Sequence, residues 1–126
     1  MLIRFTVENF LSFKDREVFS LIPGRGTLKS HHKSKSIKGT SALKTAVVYG
    51  ANASGKSNAL MALTAIQYLV CSSGDLRDGK NIPCYEPYRL CSDTIDAPIK
   101  FGVEFIIDGT RYVYNISFKK NDWHVI

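Results

Sequence analysis

Between Glu17 and Asp75 the sequence has no acidic residue at all, and that interval carries seven lysines and arginines, from Arg25 to Lys56. Outside it, ten basic residues face eleven acidic ones. The net charge of +6 is therefore a local excess. It sets up a local positive field suited to phosphate, whether of a nucleotide, a nucleic acid or both. No apolar run approaches the roughly 18 residues that a membrane span needs. Charge arrives at Arg4, too early for a secretion signal. The expected location is cytoplasmic. Cysteine is scarce: Cys71, Cys84 and Cys91 are odd in number and fit neither a zinc pattern nor a disulfide framework. Reduced thiols are the expectation. His31 and His32 stand beside no cysteine or acid and make a poor ligand set, and His124 is isolated.

What remains is ordinary soluble composition, 44% hydrophobic and 22% charged. Residues 2–8 alternate as a strand, with Leu2, Ile3, Phe5 and Val7 apolar. A turn over 9–15, partly buried through Phe10, Leu11 and Phe13, leads to a second strand over 17–22, so a hairpin or meander is expected. Pro23-Gly24 ends it, and 24–41 reads as an exposed, mobile polar loop. Ala46–Tyr49 suits a short, buried parallel strand. From Lys56 to about Val70 the spacing of Leu60, Leu63, Ile66, Leu69 and Val70 is helical, with Ala59, Ala62 and Ala65 filling the gaps. Residues 72–98 read as irregular. Lys100–Ile107 and Thr110–Phe118 alternate on either side of Asp108-Gly109, a strong hairpin turn. Trp123–Ile126 begins a further strand.

The chemistry concentrates in Gly50-Ala51-Asn52-Ala53-Ser54-Gly55-Lys56-Ser57, which satisfies G-x-x-x-x-G-K-[ST] at every fixed position. A chance match in a chain of this length is on the order of a few per thousand. Gly50 and Gly55 let the backbone wrap closely around phosphate. Successive N–H groups of the loop then form an anion nest, and the following helix points its positive end at the same place. Lys56 would reach the β- and γ-phosphates, and the Ser57 hydroxyl would coordinate Mg²⁺. The apolar strand before the loop and the amphipathic helix after it are the context this motif requires.

The strand at the N-terminus, the segment Asn9-Phe10-Leu11-Ser12-Phe13-Lys14-Asp15 and the loop at position 50 together resemble ABC-type ATPase heads. The nearest group is the SMC-like and RecF-like ATPases, including AAA-family ATP-binding proteins of bacterial phage-defence and abortive-infection systems. The resemblance covers residues 1–70 well and 99–126 more weakly. It implies an α/β P-loop NTPase fold, the first lobe of a head, with a mixed sheet and antiparallel hairpins over 1–126. It implies ATP and Mg²⁺ as ligands, Asn52 near the γ-phosphate, Asn58 just inside the helix, and the Ser12–Lys14 turn near the base or phosphates. Several relatives carry a nucleotide-contacting arginine where this sequence has Leu11, so Leu11 receives no role. Such heads also need an Asp-Glu strand end, a signature motif and a switch histidine, and this sequence contains none of them. The resemblance therefore implies a second lobe and a homodimer partner for hydrolysis. No guanine-specific N-K-x-D motif is present, and the choice of ATP rests on the resemblance.

Other features have plainer readings beside the functional one. Lys29, Lys33, Lys35 and Lys38 are candidate nucleic-acid contacts, against a merely solvated loop without interleaved aromatics. Asp93, Asp96 and Glu104 are the acids after the loop, and turn or surface roles suit them better than general-base work. Tyr112, Tyr114 and Trp123 are placed better on a sheet face than against a base. Two functions stay open: an ATPase part that hydrolyses ATP when completed and dimerised, and a non-catalytic nucleotide- or nucleic-acid-binding module or inactive remnant.

Overall fold

In the computed structural model the alternation at the N-terminus becomes β1 (Leu2–Glu8), and the expected partner becomes β2 (Glu17–Ser20), paired antiparallel through Phe5 and Phe19. Residues 1–25, 30–34, 37, 39–72, 81–120 and 122–125 are described. The hairpin read from Asp108-Gly109 joins β3 (Ile99–Ile107) to β4 (Thr110–Lys119). Both turn residues lie at positive φ, 48° and 79°, the backbone a two-residue hairpin loop of this hand requires. A short β5 (Asp122–Val125) pairs with β4, as the start of a strand at Trp123 implied.

The five strands run in the order β2-β1-β3-β4-β5, and each described pairing is antiparallel. The expected mixed sheet is thus corrected among the described residues. Ala46–Tyr49 does not enter it as a parallel strand: Val47 is 80% and Tyr49 90% exposed, and none of 46–49 pairs with a described strand. The physical reason is that β1 has both edges occupied, by β2 and β3, so the sheet offers that segment no central place.

Helix α1 spans Lys56–Ser72. It buries Ala59, Ala62, Ala65, Ile66 and Leu69, whereas Leu60 and Val70 face outward. The alanines that looked like gap-fillers are the contact face, because a small side chain lets the helix axis approach the aromatic sheet. Phe5, Val7, Phe101, Ile116 and Phe118 form that sheet surface and share one core with Ala62, Ala65, Ile66 and Leu69. Phe101 packs edge-on to Phe10 at 5.1 Å and lies 5.7 Å from Phe118. Burying each such side chain is worth roughly 1.5–3 kcal/mol.

The alternation in β3 holds for Phe101 and Val103 and then changes. Register shifts between Leu2 and Arg4 of β1, and beyond it Ile106 is buried while Ile107 is exposed. Ile106 joins Ile3 and Ala42 in a smaller cluster with Leu21 and Ile37. That cluster corrects the reading of 24–41 as simply exposed. Ala42 is fully buried, Ser34 N–H donates to its carbonyl at 2.8 Å, and Leu43 N–H donates to Leu21 O at 2.7 Å. The described part of the segment is pinned at both ends. The irregular reading of 72–98 holds for its described part, interrupted by a four-residue helical turn, α2 (Ser92–Ile95).

Candidate phosphate-binding loop

The residues from Gly50 to Ser57 run directly into the first turn of α1. Ala53 and Gly55 both take the left-handed conformation, with φ of 62° and 88°. A non-glycine residue held there is uncommon and signals a backbone shaped for something other than local preference. At Gly55 two constraints coincide: the positive φ, and the Ser12 hydroxyl 2.9 Å from where a Cβ would stand. Only glycine satisfies both without displacement.

The first bond of the helical ladder runs from Ala59 N–H to Gly55 O at 3.2 Å. The N–H groups of Lys56, Ser57 and Asn58 thus precede the ladder and are open to an anion. Lys56 lies folded back across the loop. Its ammonium donates to Gly50 O at 2.8 Å, to Ala51 O at 2.5 Å and, more weakly, to Ser54 Oγ at 3.4 Å. Ser57 is exposed on the first turn, and Ala51, Asn52 and Ala53 are exposed along the loop. A backbone nest, a lysine and a hydroxyl at a helix start suit a phosphate chain with a divalent cation. Among the described residues no group of three His, Cys, Asp or Glu is arranged to hold a metal.

The turn before β2 belongs to the same site. Asn58 Nδ2 donates to Ser12 Oγ at 2.9 Å, which ties the Asn9–Asp15 turn to the start of the helix. Asn9 fixes that turn from beneath. It is buried at positive φ, and its side-chain amide donates to Thr94 O, Ala97 O and Pro98 O at 2.9, 3.0 and 3.3 Å. Its Oδ1 accepts from Tyr88 N–H at 3.1 Å. Sequence reasoning assigned Asn9 and Tyr88 nothing. The available signal was an asparagine at a strand end, a residue type that tolerates left-handed backbone. Tyr85 braces the same segment through its hydroxyl to Ile95 O and Ala97 O. Desolvation, and then the nearby Asp96, push that phenol above its ordinary range.

The remaining candidates disperse. Glu104 is buried and paired with Arg111 at 2.6 Å, and Asp93 accepts from Ser92 Oγ at 3.1 Å. Tyr112 stacks on Phe105 at 5.5 Å, and Tyr114 packs against the main core, as a sheet-face reading expects. Lys29, Lys35 and Lys38 lie outside the described residues, and Lys33 is half-buried in a bridge to Leu43. The side chain of Trp123 also lies outside them. The described cysteines are free thiols, and burial pushes Cys84 up to about 11. No helix among the described residues is long and apolar enough to cross a membrane.

A comparison with curated proteins finds no match. Residues 46–123 match the family described as "AAA domain, putative AbiEii toxin, Type IV TA system", a span that holds the loop, α1 and the β3–β4 hairpin. That span is more than half of the chain, and the chain belongs to this family of nucleotide-binding AAA domains.

Proposed function

We propose that Gly50–Ser57 binds Mg-ATP, and that the chain acts as the N-terminal part of an ABC-type, SMC/RecF-like ATPase. The observation that carries this reading is the conjunction at one point of the left-handed Ala53 and Gly55, the start of α1 and the Lys56 ammonium folded over the loop. The loop N–H groups from Ala51 to Ser57 would cradle the phosphates, and Asn58 would support them from the first turn. Lys56 would leave Gly50 O and Ala51 O and place its charge against the β- and γ-phosphates. Mg²⁺ on the Ser57 hydroxyl would neutralise charge developing on the phosphates during in-line attack by water.

Hydrolysis requires a general base and a signature motif from a second lobe and a dimer partner. A cleft of about 750 Å³ between β1, β2, residues 46–48 and α1 supports that assignment. Val18, Val47, Val48 and Leu60 present apolar side chains to it, 50%, 80%, 58% and 66% exposed. An apolar groove beside an unpaired extended segment is suited to receive strands of another lobe. A role in nucleic-acid-linked or antiphage defence processes is consistent with the family description, with the lysines of 29–38 as candidate contacts.

The second reading is a module that binds nucleotide without turning it over. It is favoured by the engagement of Glu104 and Asp93 in local contacts away from Ser57. Titration calorimetry with Mg-ATP on the wild type and on Lys56→Ala tests the first step. Binding weakened by about a hundredfold or more on substitution supports the loop. Equal affinities would remove Lys56 from the site. Phosphate release with and without an added second lobe then separates the two readings.

A further inference from the structure

Helix α1 covers one face of the sheet. On the other face Thr6, Gly102 and Asn115 stand side by side on β1, β3 and β4, since Gly102 pairs with both of its neighbours. Two adjoining hollows of about 290 and 170 Å³ open there and share Thr6, Arg16 and Asn115. Lys100 borders the first, and Arg4 and Gly102 border the second. We infer that this face is an anion site separate from Gly50–Ser57, which binds a phosphate group on the Arg4 and Arg16 guanidiniums over the bare backbone of Gly102.

Gly102 separates this face from an ordinary solvated sheet face. It lies in β3, the central strand, where a glycine weakens the ladder it belongs to. Local backbone does not ask for it. Gly102 is not left-handed, its pairing is regular on both sides, and the register shift in β1 lies away from it, between Leu2 and Arg4. A Cβ there would stand 2.5 Å from Thr6 Oγ1 and 2.6 Å from Asn115 Oδ1. The Thr6 hydroxyl leans over the strand and donates weakly to Gly102 O at 3.5 Å. The glycine thus keeps a floor clear between a hydroxyl and an amide. A strand glycine without a bulge marks a place where a ligand or another backbone comes close.

Charge selects the ligand. Glu8 and Glu104 are the carboxylates bordering the hollows, and both are engaged, Glu8 by Lys100 at 2.7 Å and Glu104 by Arg111 at 2.6 Å. The guanidiniums of Arg4 and Arg16 have no partner among the described residues. The face therefore keeps two uncompensated positive charges, each a planar fork that matches phosphate oxygens. The Thr6 hydroxyl and the Asn115 amide can add neutral donors. Phe101, which also borders the first hollow, is 2% exposed and packed in the core, so the hollows offer no ring to a base. What is recognised is the phosphate itself, free or in a nucleic-acid backbone. The larger cleft beside Lys56 and Ser57 lies across the sheet, on the α1 side, and belongs to the loop.

NMR on the ¹⁵N-labelled full chain tests this with two probes, inorganic phosphate and a thymidine oligonucleotide lacking terminal phosphates. The amides of Thr6, Gly102 and Asn115 report on this face, and those of Gly50–Ser57 report on the loop. At least one probe is expected to move the face signals saturably. Arg4→Gln and Arg16→Gln, both on exposed side chains, are each expected to weaken that binding by about tenfold, with the response of Gly50–Ser57 to Mg-ATP unchanged. Tighter, strongly salt-dependent binding of the oligonucleotide assigns the phosphate to a nucleic-acid backbone, and binding of inorganic phosphate alone assigns it to a small ligand. Face signals that neither probe moves overturn the inference, as do shifts undiminished in both arginine variants. A glutamate-rich peptide that moves them where both phosphate probes fail also overturns it and makes the face a carboxylate site. The loop reading stands in each case, because it is read from different amides.

Discussion

The two sides of β1 are built on different principles. Toward β3 and β4 the chain closes on itself: strand pairs are continuous, and Phe101, Ile116 and Phe118 are at most 2% exposed. Toward β2 and residues 46–49 it stays open, with Val47 and Val48 extended in solvent beside the groove under Leu60. The loop Gly50–Ser57 sits at the boundary. Its downstream end is anchored by α1 in the closed core, while its upstream end hangs from the open segment. A helix start packed in the core thus meets a lead-in segment that lacks sheet support, and the loop is held from one side.

Substitutions that strike each side in turn should break or sharpen this contrast. The largest effect is expected from Phe101→Ala, which removes the ring that contacts Phe5, Phe10 and Phe118. Urea unfolding should show a loss of about 3–5 kcal/mol. Asn9→Ala comes next. It strips partners from three carbonyls and the Tyr88 N–H, and a loss of about 2–3 kcal/mol in the same measurement is expected. Gly55→Ala forces a side chain into left-handed backbone against Ser12 and should lower stability by about 1–3 kcal/mol. Calorimetry should show Mg-ATP affinity falling with it. On the open side, Val48→Ser should change stability by no more than about 0.5 kcal/mol. A larger loss would show that the open segment is packed after all.

A last test, confined to alkaline pH and silent at neutral pH, is the titration of Cys84. Burial raises its pKa from 9.0 to about 11, so the folded chain holds that proton more tightly than the unfolded chain does. Its contribution to stability is complete below pH 9 and is lost as pH rises through about 11. Thiol labelling at neutral pH should modify exposed Cys71 well before Cys84.

The parts of the fold governed by short-range rules were legible in the sequence. Alternation and Asp108-Gly109 announced β3 and β4, and the glycine-lysine spacing announced the loop and the start of α1. What escaped depended on contacts between distant residues. The apolar run at 46–49 has the composition of a buried strand, but burial requires a neighbouring strand, which composition does not supply. The choice of Ala62 and Ala65 as part of the buried face depends on the size of the rings opposite, roughly 36 to 60 residues away. The segment 86–90 has no periodicity, and its order comes from Asn9, nearly 80 residues earlier.

The folded-back Lys56 has a kinetic and thermodynamic consequence of its own. Its ammonium is already satisfied by two carbonyls of its own loop, so an anion that drew it away would have to replace those two bonds. Any contact that draws Gly50 O or Ala51 O away, such as ordering of the open segment just upstream, would release the lysine and raise affinity without touching the ligand. The loop would then act as a latch, set by whatever pairs with residues 46–49.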